Sequence, residues 1–141
     1  MDFVPPNFKD ILSGIIILAA REGECIPVVK IHSIFYEMKA HEPILSKLRF
    51  SLTGEVCYSR NIDHAIRNLV DWGSLRVVEE SAVVSEGIHA FRSFLSRSFT
   101  NPQIQAIYSI SLRFYDRMHR GVRDLANTKM ASNRIQEKAS L

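Results

Sequence analysis

The chain has 141 residues, 46% hydrophobic and 23% charged, which is enough apolar material for one domain's core and excludes a disordered or low-complexity chain. Its formal net charge of +3 is unevenly spread: residues 1–88 carry nine Lys/Arg against twelve Asp/Glu, and residues 89–141 carry nine against three, giving −3 and +6. The strongest apolar run, Ile11 to Ala20, is interrupted by Ser13 and Gly14 and closed by Arg21-Glu22, about half of what a bilayer span needs, so a membrane partner is not expected.

Asp2 stands where a secretory signal would be basic, which predicts that the chain is not exported. After Pro5 and Pro6, Asn7 is suited to cap a first helix whose apolar side is Phe8, Ile11, Leu12, Ile15, Leu18 and Ala19 and which stops near Gly23. Pro27 is placed in the first turn of a second helix, with Val28, Ile31, Ile34, Phe35 and Met38 as its stripe as far as Lys39. Pro43 opens a short helical turn to Leu48. Arg49–Leu52 and Val56–Tyr58 then flank Thr53-Gly54 as extended pieces, one of them positioned to pair with a later hairpin.

The polar run Ser59-Arg60-Asn61 caps a third helix, with Ser59 or Asn61 as the capping residue. Ile62, Ala65, Ile66, Leu69 and Trp72 form its core face, and Gly73 ends it in the left-handed conformation. Leu75–Val78 and Ala82–Val84 read as two short strands joined by Glu79-Glu80-Ser81. A fourth helix covers 85–99, with Ile88, Phe91, Phe94 and Leu95 inward. Asn101 and Pro102 then open a long amphipathic helix carrying Ile104, Ile107, Ser111, Phe114, Met118 and Leu125 at alternating spacings of three and four.

Strand, polar-capped helix and short hairpin in that order over Phe50–Gly87 predict a mainly α winged helix-turn-helix domain over 1–99, followed over 100–141 by a C-terminal helical extension and a frayed tail, packed on the domain or on a second subunit. The spine Ile104, Ile107, Phe114, Met118 and Leu125 has few partners in so small a core, which predicts a homodimer interface. On the polar face of the third helix, Arg60, His64, Arg67 and Asn68 are the residues that would read base edges of double-stranded DNA. The same face also reads as a solvated surface with local charge pairs, since Asp63 and Asp71 repel phosphate and the hairpin tip is Glu79-Glu80. Arg113, Arg117 and Arg120 make a basic stripe for phosphates or for an acidic protein, or answer the acidic first part of the same chain.

Catalytic chemistry is poorly supported. The sequence holds no G-x-S-x-G, HExxH, P-loop or GxGxxG pattern, and its histidines are scattered without ligand spacing. Cys25 and Cys57 form no CxxC, which predicts two buried thiols in a cytoplasmic protein without disulfide, metal or cofactor.

The segment Lys30-Ile31-His32-Ser33-Ile34-Phe35-Tyr36 resembles the K-L-Q-K-L-x-Y helix of the bacterial YwgA-like proteins and, more distantly, of the Panacea (SocA-like antitoxin) domains. Phe50 to Tyr58-Ser59 and on through Leu69 to Gly73-Ser74-Leu75 is similar to their F-x-x-x-x-G-P-Y-S, helix, G-x-[IL] segment, and Val84-Ser85-Glu86-Gly87 is similar to their x-T-x-x-G. Ser33 replaces the second lysine of that helix, and Val56-Cys57 replace the Gly-Pro. The resemblance covers about residues 8–98 and implies a winged-helix fold. Because Panacea members are implicated in neutralising toxins, it also implies a toxin-like or other protein partner as the alternative to DNA.

Overall fold

A computed structural model describes residues 7–54 and 56–119. Helix α1 (Phe8–Ala19) starts where the Asn7 side-chain oxygen accepts the Lys9 N–H at 2.9 Å, the cap expected from the sequence. The helix ends at Ala20, ahead of Gly23. There the Arg92 guanidinium donates to the Ile17 and Ala20 carbonyls at 3.1 and 2.9 Å, placing a cation on the negative end of the helix.

Strand β1 (Cys25–Pro27) follows, too short for any alternation in its residues to reveal it. Its presence moves Pro27 out of helix α2 (Val28–Lys39) and into the N-cap position. After a 3₁₀ turn at Pro43–Leu45 come β2 (Ser51–Thr53) and β3 (Val56–Tyr58), then α3 (Arg60–Asp71), β4 (Leu75–Val78), β5 (Ser81–Val84), α4 (Ile88–Ser98) and a final helix, α5, over 101–119.

The larger sheet is antiparallel with order β1-β5-β4, setting Cys25 opposite Val83 and Leu75 opposite Val84. Neither extended piece around Thr53-Gly54 joins it. Strand β1 occupies the free side of β5, so β2 and β3 pair with each other, Ser51 opposite Tyr58. The β4–β5 turn is the two residues Glu79 and Glu80, with Ser81 already in the strand. Both glutamates have positive φ, 47° and 67°, as the twist of a two-residue hairpin requires and as side chains with a Cβ resist.

Gly73 closes α3 with φ 76°, its N–H reaching the Val70 carbonyl at 2.9 Å while the Ser74 N–H reaches that of Leu69, also at 2.9 Å. Directly above lies Gly87, where any Cβ would stand 2.2 Å from the Gly73 oxygen. The end of α3 and the start of α4 are therefore locked together.

A single cluster of buried side chains joins α1, α2, α3, α4 and α5. Trp72, expected on the core face of α3, is at its C-cap and 36% exposed, with its ring against Phe91 and Phe94. Helix α5 opens with a capping box: Thr100 Oγ1 accepts the Gln103 N–H at 3.3 Å, and Gln103 Oε1 accepts the Thr100 N–H at 2.8 Å. The cap is thus Thr100, one residue before the expected Asn101. Ile107, Ile110, Phe114 and Met118 of this helix are buried in the chain's own core. Among the described residues no helix is long and apolar enough to cross a membrane.

Candidate nucleic-acid interface

The amphipathic pattern of α3 turns Ile62, Ala65, Ile66 and Leu69 into the core and fixes what remains outside. Arg60, His64 and Arg67 are exposed. Arg67 pairs with Asp63 one turn earlier at 3.2 Å, and with its side chain 76% exposed this pair contributes little. Asn68 does not stand with them. Its side-chain N–H donates to Asp10 at 3.1 Å and to the Ser13 hydroxyl at 3.0 Å, so it fastens α3 to α1 and is withdrawn from base reading.

The basic stripe of α5 is also committed internally. Arg113 makes a two-point contact with Glu42, its Nη2 reaching Oε2 at 2.9 Å, and also donates to the Ser109 hydroxyl at 3.1 Å. That contact raises the Arg113 pKa from its ordinary value, and Glu42 itself is buried. Arg117 pairs with Glu37 on α2 at 3.1 Å. Of the three sequence readings, phosphate contact, an acidic protein partner and pairing with the acidic first part of the chain, Arg113 and Arg117 realise the third. The dimer spine is corrected in the same way. Ile107, Phe114 and Met118 are buried, and Ile104 packs partly buried against the core, because α1, α2 and α4 supply the partners that a second subunit was expected to supply. Arg120 and Leu125 lie outside the described residues.

The structure assembles a different cationic surface at the start of α3. Arg49, Phe50, Ser51, Tyr58, Arg60, Asn61 and His64 line a cleft of about 390 Å³, and Asn61 and His64 are shared with an adjoining cleft of about 270 Å³ that Lys9 lines from α1. No carboxylate lines either cleft among the described residues. Arg49 and Lys9 come from segments far from Arg60 in sequence, and the only sequence signal was the exposed basic pair Lys47 and Arg49 preceding the β2 strand.

Beneath this surface His32 is buried on α2, and its Nδ1 accepts the Ser59 N–H at 3.1 Å. Burial lowers its pKa from the ordinary histidine value, with the Asp63 carboxylate opposing, so it is a neutral acceptor that fixes the residue preceding α3. The Ser59 hydroxyl is buried without a hydrogen-bond partner and makes no cap bond. Expected to be buried, neither thiol is: Cys25 is exposed on edge strand β1 and Cys57 half-buried in β3. Protein-family models, curated proteins and solved structures give no match to this chain.

Proposed function

We propose that this chain is a winged-helix module that binds nucleic acid along the first half of α3. The strand order β1-β5-β4, with β1 between the first two helices and β4–β5 after the third, supports the winged-helix reading. The observation that carries the function is the pair of adjoining clefts lined by Lys9, Arg49, Arg60 and His64, with no carboxylate among the described residues of either lining. Phosphate neutralisation supplies most non-specific affinity, and cations not already paired are the ones able to provide it.

In this reading Arg49, Arg60 and Lys9 contact phosphates, and His64 and Arg67 face the bases. The acidic tip Glu79-Glu80 stays away from the backbone. Binding of a labelled random duplex, followed by fluorescence anisotropy at about 50 mM and about 200 mM salt, tests it. Arg49→Gln with Arg60→Gln is expected to lower affinity and to reduce the salt slope by roughly two. Absence of salt-sensitive binding at the lower salt would retire the proposal.

A protein partner of the antitoxin or adaptor kind is the second reading. It is favoured by Leu52 and Val56 of the β2–β3 hairpin, 59% and 50% exposed. Leu52→Ser with Val56→Ser would leave duplex binding intact while abolishing such a contact.

A further inference from the structure

The β2–β3 hairpin, inserted between α2 and α3, gives the larger cleft aromatic walls. Tyr58 lies flat on His32, centroids 5.2 Å apart and planes at 26°, yet 44% of the residue is exposed and it lines the cleft. The ring is thus stacked on His32 and still presents surface to the cleft. Phe50, also lining the cleft, is braced edge-on by Tyr36 at 5.2 Å and 82°. Both rings are held from behind by side chains of α2, which reduces the ordering cost of any ring stacked upon them. Arg49 precedes Phe50 directly and Arg60 follows Tyr58 by two residues, so each aromatic wall has a guanidinium beside it.

An intact duplex offers such a cleft phosphates and base edges but no free base face, because its bases are already stacked on each other. An unpaired nucleotide offers a flat base and a phosphate together, the combination that aromatic rings interleaved with arginines accept. The volume of about 390 Å³ is near the lower end for small-molecule pockets, about 300–1,000 Å³, and suits one nucleotide at a time. We infer that this cleft takes an unstacked base of single-stranded nucleic acid, with Tyr58 as the stacking platform and Arg49 and Arg60 on the adjoining phosphates. The inference rests on the nucleic-acid reading above and deepens it: the strand state, not the base sequence, is what the hairpin selects.

Anisotropy with a labelled single strand and its matching duplex at the same low salt tests this. The single strand is expected to bind about tenfold more tightly. Tyr58→Ala should weaken single-strand binding about tenfold and leave the duplex affinity unchanged, while Tyr58→Phe keeps the wild-type preference. Circular dichroism reports whether Tyr58→Ala folds. Independently of that variant, Tyr58→Trp made together with Trp72→Phe, so that position 58 carries the one indole, should lose emission on adding single strand and not on adding duplex. Equal affinity for both strand states with no effect of Tyr58→Ala, or an unquenched Tyr58→Trp, would overturn the inference and leave the proposed function standing. No salt-sensitive binding of either nucleic acid would overturn both. Displacement of the strand by adenosine monophosphate at the same nucleotide concentration would overturn the assignment to a strand.

Discussion

Replacing Phe114 with alanine tests whether α5 belongs to the core of its own chain. Phe114 is fully buried, and its ring is 5.0 Å from that of Phe35 on α2 at an angle of 47°. Burying such a side chain is worth about 1.5–3 kcal/mol by transfer, and the tilted ring pair adds about 0.5–1.5 kcal/mol. Truncation also leaves a cavity between two helices that cannot close freely, because Arg113 and Arg117 tether α5 to Glu42 and Glu37 on either side of it. The expected loss is about 3–5 kcal/mol, a fifth or more of a typical domain stability of about 5–15 kcal/mol. With a urea dependence of about 2 kcal/mol per molar, the unfolding midpoint should fall by about 2 M. Far-ultraviolet circular dichroism and the fluorescence of Trp72 should report the same transition, at low and at high protein concentration alike. A midpoint almost unmoved by the substitution, or a wild-type midpoint that rises with protein concentration, would place Phe114 in an interface between subunits and refute the reasoning.

Three further outcomes follow from the same geometry. His32 is held neutral in the fold while an unfolded histidine takes a proton near pH 6.5, so stability is fully present above that value. It is expected to fall by up to about 1.4 kcal/mol per unit as the pH drops towards the lowered folded value, a slope that His32→Gln removes in urea titrations between pH 7 and pH 5. Arg113→Ala strands the buried Glu42 carboxylate and should cost about 2 kcal/mol, the exposure of Arg113 being allowed for, and adding Glu42→Gln should restore part of it in a double-mutant cycle. Glu79→Asn with Glu80→Gly puts the two residue types that best tolerate positive φ into this turn and should raise the thermal midpoint, with a gain of about 1 kcal/mol; no gain would argue against a strained turn.

Helical periods carried most of the fold into view. Stripes such as Ile62, Ala65, Ile66 and Leu69 repeat over several turns, and caps such as Asn7 act on their nearest neighbours, so both are legible locally. Strand β1 was not, because three residues complete no alternation and their extended state is imposed from outside by Ala82 and Val83 of β5. The candidate site was legible only in part. Arg60, His64 and Arg67 follow from the helix period, whereas Arg49 and Lys9 reach the cleft through loop geometry and α1 packing. Asn68 misled for a related reason: its polar character marked the outer face, and only the approach of α1 turned its amide onto Asp10 and Ser13.

The charge asymmetry between the two parts of the chain illustrates how a sum over sequence differs from a field in space. An excess of +6 after residue 88 would place a nucleic-acid surface on α5, and −3 before it would exclude one on α3. Folding reverses that inference, because opposite charges are brought into contact: Glu42 meets Arg113 and Glu37 meets Arg117, so acidic and basic residues are spent against each other along the α2–α5 seam. What a phosphate meets is the remainder after such pairing. Around the start of α3 that remainder is cationic, with Arg49, Arg60 and Lys9 forming no ion pair shown among the described residues. Among the described residues the acidic first part of the chain thereby carries an accessible, unpaired positive surface, and removing Glu37 and Glu42 would be expected to shift phosphate affinity towards α5 without touching the cleft.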